Sequence, residues 1–403
     1  MRMGTIISLT GLLTVLHGCF DNSFMGAPSG DNAGFDEPVP VLVEVGDPAM
    51  PKGAGVMDNI YLNAGENVFV YAFKDDMLTS YRRTSREDRV NTLIDASVDF
   101  PGSRLGRRAV TNSSGEALLW PDAKEMWCYH DGDLKQVPYD FYAYYLDDVN
   151  IGEDDVVRED DCVKLNVEID GSQDLMSAKA ELVNDQLEIF DEAEQKRLME
   201  YRFSYYTGLR NALPRFYFKH HLVMLDFELV PGFVEGEVKN VTLQAIEVES
   251  RYKGVFTVAN KSNANQMGVD FPDKEYRDMV LRESDGSPIP DNKYKLKTLD
   301  YSGQIAKSVP VDGNLLVAPQ KDSIIAYVTM KQTRTDGTLL AQARNRVALS
   351  YSKGGKYGSF DAGNRYKVKL QVYGVTTIYT TVTVEPWLSG GDVSIDTEDK
   401  PEI

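Results

Sequence analysis

Histidine and cysteine are scarce in this chain, which limits the metal sites that it could build. The 403 residues include four histidines and three cysteines. Cys128 and Cys162 lack CxxC spacing, so the two thiols cannot form a zinc site by themselves. His220 and His221 are neighbours on a predicted strand, where successive side chains point to opposite faces, so they cannot share one ion. We expect no metal site and no cofactor, while Cys128 and Cys162 are either a disulfide or two buried thiols.

The motifs of common catalytic sites are also missing. The chain contains no GxSxG, no GxxxxGK[ST] and no HExxH sequence, which excludes the usual signatures of serine hydrolases, P-loop proteins and zinc proteases. Cys128 and His130 would lie on one face of an extended segment, where thiol and imidazole could meet, but no third group orients the pair. We therefore expect no catalytic residues and no enzymatic activity.

Basic residues are outnumbered, with 43 lysines and arginines against 62 aspartates and glutamates and a formal net charge of −19. No basic cluster stands out, so nucleic acid is not an expected partner. The acidic runs at 153–155 and 159–161 could offer oxygen ligands to Ca²⁺. The loop at 148–152 fails the EF-hand register, because its glycine arrives one residue early. We predict a solvated acidic loop there.

Long apolar runs are absent after the first residues, so no helix of about 18 apolar residues is available to span a membrane. The one apolar run, residues 3–16 after Arg2, is too short for a permanent span and is typical of a signal peptide at 1–18. It ends in LHGC at 16–19, which resembles the lipobox of bacterial lipoproteins and predicts lipidation of Cys19. The Gly-, Asn- and Ser-rich residues 19–36 are then a flexible tether.

What the chain has in abundance is apolar residues that alternate with polar ones, as in a half-buried strand. The predicted fold is all-β with a small helical insertion near 177–205, where helix-forming residues dominate. Short alternating segments bounded by Gly, Asn and Asp indicate β-sandwich architecture. The break at 231–236 divides the chain into predicted domains at 37–235 and 236–403. The clearest strand patterns are at Val39–Val45, Glu66–Phe73, Phe141–Leu146, Tyr366–Val372 and Ile378–Val384.

Four segments in order along the chain resemble the fimbrillin family of Gram-negative pilus subunits. They are FYAYY at 141–145, DGSQDLM at 170–176, FKHHL at 218–222 and VTVEPW at 382–387. The resemblance implies two transthyretin-like Greek-key β-sandwich domains in tandem. It also implies an outer-membrane lipoprotein that a surface protease trims and that polymerises by strand exchange into a fimbrium supporting adhesion. Other fimbrial subunits are the implied partners, with surface ligands of host or bacterial cells left open.

Strand exchange assigns roles to particular residues of this chain. The strand that is lost would carry Val39, Val41, Val43 and Val45, because it is short, alternating and first in the chain. A trypsin-like protease could cut between Lys52 and Gly53, since Lys52 is the only lysine or arginine between Cys19 and Lys74. An ordinary surface role for Lys52 is an equal alternative. The candidate residues of the donor strand are Ile378, Val382, Val384, Val393 and Ile395.

Three other functions remain open at this stage. An arginine-specific protease would leave the N-terminal segment intact, because no arginine lies between Arg2 and Arg82, and the chain would then be an uncleaved, lipid-anchored anchor or terminal subunit. A carbohydrate-binding surface lipoprotein could use Trp120, Trp127 and the tyrosines of 139–145 in a cleft, although aromatic residues of a β domain are more often core. An exported hydrolase lacks a catalytic constellation.

Overall fold

The computed structural model describes residues 39–46, 65–74, 92–94, 104–114, 117–120, 128–129, 137–147, 149–232, 241–296, 308–334, 336–353 and 356–386. The chain divides into two compact units, Met1–Pro38 and Val39–Ile403. The first unit, which includes the predicted signal peptide, Cys19 and most of the tether, lies outside the described residues. The account that follows concerns the second unit.

The described part of the second unit is built almost entirely from strands. The strands up to residue 231 are β1 (Val39–Pro40), β2 (Val43–Val45), β3 (Asn67–Lys74), β4 (Thr92–Ile94), β5 (Arg107–Thr111), β6 (Ala117–Leu119), β7 (Cys128–Tyr129), β8 (Tyr139–Tyr145), β9 (Val156–Arg158), β10 (Cys162–Glu168), β11 (Met176–Lys179), β12 (Arg215–Phe216), β13 (Lys219–His220) and β14 (Val223–Pro231). Those that follow are β15 (Val241–Arg251), β16 (Lys253–Asn260), β17 (Gly268–Asp270), β18 (Tyr276–Val280), β19 (Lys295–Leu296), β20 (Val309–Pro310), β21 (Leu315–Val317), β22 (Ile324–Thr333), β23 (Leu339–Leu349), β24 (Ser352–Lys353), β25 (Lys356–Tyr357), β26 (Asn364–Val372) and β27 (Ile378–Pro386).

The largest sheet has the strand order β12-β2-β6-β5-β3-β8-β11-β13, with β4 paired to β3. Its central strand β8 is buried at every position, which requires cover on both faces and suits its run of apolar and aromatic residues. Tyr71 and Phe73 of β3 stack with their rings 5.3 Å apart. This sheet is the one that holds the N-terminal strand.

Two five-stranded sheets are formed mainly by the later part of the chain. One has the order β20-β14-β26-β27 with β21 paired to β14, and the other has the order β18-β15-β22-β23 with β19 paired to β15. In β26 the side chains alternate as the sequence predicts, because Tyr366, Val368, Leu370 and Val372 are all buried. These residues belong to the same hydrophobic core as Tyr142 of the largest sheet. The predicted fold class, all-β with a small helical insertion, is confirmed.

A fourth sheet, β17-β16-β10-β9, combines segments from both sides of residue 235. β10 pairs with β16 from Cys162↔Asn260 to Glu168↔Lys253. β14, which precedes the break at 231–236, pairs along its length with β26. The division of the chain into domains at 37–235 and 236–403 stays a prediction.

The helical insertion is shorter than the predicted 177–205. Its helices are α1 (Asn184–Leu187), α2 (Glu192–Glu200) and α3 (Tyr205–Gly208), while Met176–Lys179 is the strand β11 between β8 and β13. Pairing with strands on both sides outweighs the helix propensity of Ala178 in this strand. Asp191 caps α2 by accepting a hydrogen bond from the Glu194 amide at 2.9 Å. A small cluster of Leu187, Leu198 and Ala212 anchors the insertion.

Within the described residues, no helix is long and apolar enough to cross a membrane.

Candidate functional site

The N-terminal strand, residues 39–45, comprises β1 and β2. Its β2 part lies inside the largest sheet and not at the edge. β2 runs parallel to β12 on one side and antiparallel to β6 on the other. Immediately before it, β1 pairs antiparallel with β7. All four valines of the alternating pattern are buried, with exposed fractions of 8% or less at Val39, Val41, Val43 and Val45. The strand therefore fills a slot between two strands that lie far from it in the sequence.

Backbone and charge both fasten this strand to β12. The amides of Glu44 and Gly46 donate to the carbonyls of Pro214 and Phe216, each at 2.9 Å. The carboxylate of Glu44 accepts from Arg215 Nε at 2.8 Å and from Gln186 Nε2 at 3.3 Å. Glu44 is thus the one acidic residue of the strand and is held by two side chains from outside it.

Arg215 also contacts the helical insertion, because its Nη1 donates to Asp185 Oδ2 at 2.8 Å. Burial alone would lower the pKa of Arg215, but hydrogen bonds to Asp185 and Glu44 raise it above its ordinary value. The arginine therefore keeps its charge and links the N-terminal strand to α1. We call Arg215 and Gln186 together the carboxylate pocket of the slot.

Two further contacts fit the strand to its slot. Trp120 Nε1 donates to the carbonyl of Val41 at 3.0 Å. A Cβ at Gly208 would lie 2.7 Å from Val39 Cγ1 and 2.9 Å from Tyr129 Cε2, so only glycine fits there without a shift. Trp120, proposed above for a carbohydrate cleft, instead holds the N-terminal strand.

The tyrosines of 139–145 are core residues and cannot line an open cleft. Tyr139, Tyr142, Tyr144 and Tyr145 have exposed fractions of 7% or less. The hydroxyl of Tyr142 donates to the carbonyl of Asn260 at 3.1 Å, and that of Tyr145 donates to Glu66 and Asp147 at 3.0 Å. Because a buried tyrosine hydroxyl needs such a partner, these contacts explain how the strand tolerates so many of them. Trp127 lies outside the described residues.

The C-terminal strand β27 lies at the end of its sheet and pairs along its length with β26 alone. It is also attached by the bridge between Tyr351 and Val382 and by the hydrogen bond from Thr380 Oγ1 to the Ala348 carbonyl, 3.1 Å long. Val382 is buried in the core, and the ring of Tyr379 contacts that of Tyr373 edge-on at 5.4 Å. Val384 is 37% exposed and Tyr379 is 62% exposed. Ile378 packs partly against the core. Val393 and Ile395 lie outside the described residues.

The histidines take part in separate structural contacts. His220 Nδ1 lies 2.6 Å from Asp174 Oδ2, while His221 Nε2 lies 2.7 Å from Ser177 Oγ. Their side chains point to opposite faces, as adjacent residues of an extended segment must. Burial lowers the pKa of His221 to about 4, with smaller effects of His220 and Lys219. Neither histidine offers a ligand set for a metal ion.

Acidic side chains of the loop at 159–161 form an ion pair and hydrogen bonds with neighbouring residues. Among the residues described, one group has the spacing to bind an ion, namely Glu159, Asp161 and Cys162. Glu159 already forms an ion pair with Lys164 at 2.7 Å, and Asp161 accepts from Ser262 at 2.8 Å. Cys162 is a free buried thiol that donates to Glu159 at 3.0 Å, and burial raises its pKa to about 12. Such a thiol is a poor metal ligand or nucleophile.

Sequence reasoning missed the carboxylate pocket. Arg215 lies 171 residues from Glu44 and Gln186 lies 142 residues away, so no local pattern joins them. The available signal was Glu44 itself, a lone charge within an alternating apolar strand. The roles predicted for Cys19, Lys52 and Gly53 fall outside the described residues, as does His130, and the side chain of Cys128 is not described.

Comparison with known proteins identifies the family. The model of the fimbrillin-like family matches residues 108–387. No curated protein sequence matches the chain.

The solved structures that match the chain are distant from it in sequence. A candidate cell adhesion protein from Bacteroides uniformis has 13% identity and a TM-score of 0.45, covering 87% of this chain and 98% of its own. The fimbrial anchor protein Mfa2 from Porphyromonas gingivalis has 11% identity and a TM-score of 0.31, covering 86% and 98%. The tip fimbrial protein Mfa3 from Porphyromonas gingivalis, with a C-terminal truncation, has 10% identity and a TM-score of 0.31, covering 86% and 99%. By its match to the family model, the chain belongs to the fimbrillin-like family.

Proposed function

We propose that the chain is a structural, non-enzymatic subunit of a cell-surface fimbrium that assembles by donor-strand exchange. It is exported as a lipoprotein precursor with lipid on Cys19 and carried to the outer membrane. Proteolysis then removes the N-terminal strand, and a strand from another fimbrial subunit replaces it. The observation that supports this proposal is the interior position of residues 39–45, whose four valines are buried, with β1 paired to β7 and β2 enclosed between β6 and β12.

Loss of this strand would leave a slot that favours a new strand. Each buried valine contributes about 1.5–3 kcal/mol relative to an exposed one. The facing edges of β6 and β12 would also present unpaired backbone amides and carbonyls, which form a template for an incoming strand. A processed subunit would therefore be stable only when another strand occupies the slot.

The proposed cleavage site is the bond between Lys52 and Gly53. A cut there would separate residues 19–52, including the N-terminal strand, from the rest of the chain, while the slot-forming strands β6 and β12 remain on the other side. Lys52 is the only lysine or arginine between Cys19 and Lys74. The lipid on Cys19 would then serve export and transport, and the assembled subunit would no longer carry it.

A second function follows if the surface protease cuts only after arginine. No arginine lies between Arg2 and Arg82, so the N-terminal strand and the lipid would both be retained. The chain would then be an anchor or terminal subunit that fixes an assembly to the outer membrane. In that case its C-terminal donor strand would still be available to a partner.

The two functions are separated by changing the residue before the proposed cut. Full-length chains with Lys52→Gln and with Lys52→Arg are produced in a fimbria-forming host, and the N-terminus of the surface protein is determined. A trypsin-like protease gives Gly53 as the N-terminus of the unchanged chain and of Lys52→Arg, but not of Lys52→Gln. Cleavage of Lys52→Arg alone indicates an arginine-specific protease and supports the anchor function. Absence of an N-terminus at Gly53 in all three chains contradicts removal of the strand at this site.

Lipidation of Cys19 has its own test. Palmitate labelling of the precursor is expected for the unchanged chain and not for Cys19→Ser, which keeps the size of the residue but removes the thiol. Equal labelling of both chains would contradict the assignment of Cys19.

A further inference from the structure

Glu44 is the only charged residue of the N-terminal strand, and its partners belong to the slot. Arg215 Nε and Gln186 Nε2 both donate to Glu44 Oε2, and Arg215 is fixed in turn by Asp185. When the N-terminal strand leaves, the carboxylate pocket loses the acceptor that it is built around. A strand that brings a carboxylate to the same place restores these hydrogen bonds, whereas an uncharged or basic one does not.

The chain carries the same short pattern a second time. Residues 41–44 have the sequence VLVE and residues 382–385 have the sequence VTVE. We propose that the carboxylate pocket selects the incoming strand and that its occupant is residues 382–385 of a second copy of this chain, with Glu385 in the place of Glu44. This inference rests on the proposed strand exchange and names its partner and register.

The backbone of the slot accepts this register. Only the amides of Glu44 and Gly46 donate to β12, because the amide of Val45 between them points the other way in an extended strand. Pro386 would stand in the place of Val45. Its missing amide therefore removes neither of the two bonds to β12, and the described pairing of β2 with β6 ends at Glu44, one residue earlier.

Apolar burial favours the transfer as well. In its own sheet Val384 is 37% exposed, whereas Val43, whose place it would take, is 2% exposed in the slot. Val382 would replace Val41, which is completely buried, but gains little because it is only 7% exposed in its own sheet. Thr380 would fall at the place of Val39 and has the same branched shape, so it meets the close approach of Gly208 without added volume.

The proposed register has a defined end. Trp387 would stand in the place of Gly46, where a Cβ would lie 2.7 Å from Tyr217 Cε1 and 2.8 Å from Arg215 Cδ. Both contacts are with side chains and not with backbone, so the tryptophan requires them to shift. The matched segment therefore ends at Pro386.

A charge-reversal experiment tests this selection. Full-length chains with Glu385→Arg or with Arg215→Glu are produced separately and together, with different tags, in a fimbria-forming host. Assembly is measured as ladders of unboiled surface protein on denaturing gels. Either variant alone is expected to assemble at least about tenfold less, since like charges then meet in the pocket. Produced together, the two variants are expected to restore the ladder with both tags, because each cross-pair again joins opposite charges.

A matched control separates this effect from disturbance of the C-terminal sheet. Glu385 lies opposite Arg365 of β26, and Thr381 lies opposite Lys369. Thr381→Arg therefore places a like-charge pair within the sheet as well, but in the proposed register it falls at Pro40, four residues from the carboxylate pocket, and is expected to assemble like the unchanged chain.

The outcomes distinguish this inference from the proposed function. Three results would overturn the selection by charge: ladders of undiminished intensity from the single variants, ladders lost equally in Thr381→Arg, or failure of the two variants to restore assembly together. Absence of ladders from the unchanged chain would overturn strand exchange itself, and this inference with it.

Discussion

At the scale of single residues, the N-terminal strand buries its valines on one face. Val41 is completely buried, while its neighbour Leu42 points the other way and is half-buried. Val41→Asp places an unpaired carboxylate in the slot, and we expect it to destabilise the seating of the strand by on the order of 3 kcal/mol. Leu42→Asp is the matched control and should cost less than about 1 kcal/mol.

Hydrogen exchange measures the difference between these two variants. In Val41→Asp, the amides of Leu118 and Phe216, which belong to the strands on either side of β2, should lose protection while β26 keeps its own. In Leu42→Asp, protection at all of these positions should match the unchanged chain. Equal protection in both variants would show that the valine face does not hold the strand.

A buried histidine gives the fold a pH dependence. Burial lowers the pKa of His221 from 6.5 to about 4, so the folded chain resists a proton that the unfolded chain accepts. Between these pH values the unfolded state binds more protons, and the free energy of unfolding therefore falls as the pH falls. The loss due to this residue is at most about 3 kcal/mol at pH 4 relative to pH 7.

Denaturant titrations at pH 7, 5.5 and 4 test the effect of His221. His221→Gln cannot take up a proton in this range, yet retains a polar group near Ser177 Oγ. Its free energy of unfolding should depend less on pH than that of the unchanged chain. Identical pH dependence in the two chains would assign the effect to other groups.

The sequence predicted which side chains of a strand share a face, but it could not predict which strands pair across long distances in the chain. The valines of 39–45 could be placed on one face from period two alone, and the adjacent histidines on opposite faces by the same rule. The contact between Glu44 and Arg215 could not be predicted, because it depends on the sheet that brings β2 beside β12. For the same reason the sequence left Trp120 between a cleft and the core and could not show that its Nε1 donates to the Val41 carbonyl.

At the scale of elements, β27 and the residues after it offer different donor strands. A chain that stops after Ser389 keeps β27, whose last residue is Pro386, and removes Val393 and Ile395. If residues 382–385 enter the slot, this truncated chain should remain folded and form ladders like the unchanged chain. Circular dichroism checks the fold, and unboiled gels check assembly. A folded truncated chain that no longer assembles would assign the donor strand to the extreme terminus.

The elements also show where local propensity was overruled. Residues 176–179 include the helix-forming Ala178, yet they form a strand because β8 and β13 pair with them on both sides. Propensity was sufficient for α2, where an aspartate cap and a run of charged residues leave only Leu198 buried. Whether a segment becomes helix or strand depends here on the strands that pair with it, and the sequence of that segment does not show them.

At the scale of the whole molecule, the first and last strands of the described chain have different attachments. In the N-terminal strand, β2 is enclosed between β12 and β6 of the largest sheet. The last strand, β27, lies at the end of its sheet beside β26. Exchange of a strand between subunits requires this combination, an enclosed slot and an accessible strand. The predicted β-sandwich class anticipated the layers, whereas the order of the strands within them depends on non-local contacts.

The size of the unboiled surface protein tests strand exchange most directly. We predict a ladder whose rungs are multiples of the processed chain, each rung with Gly53 as its N-terminus and without residues 39–46. Boiling should collapse the ladder to a single band, because the subunits are joined by buried strands and not by covalent bonds. A single monomer band before boiling, with the N-terminal strand still attached, would contradict the account.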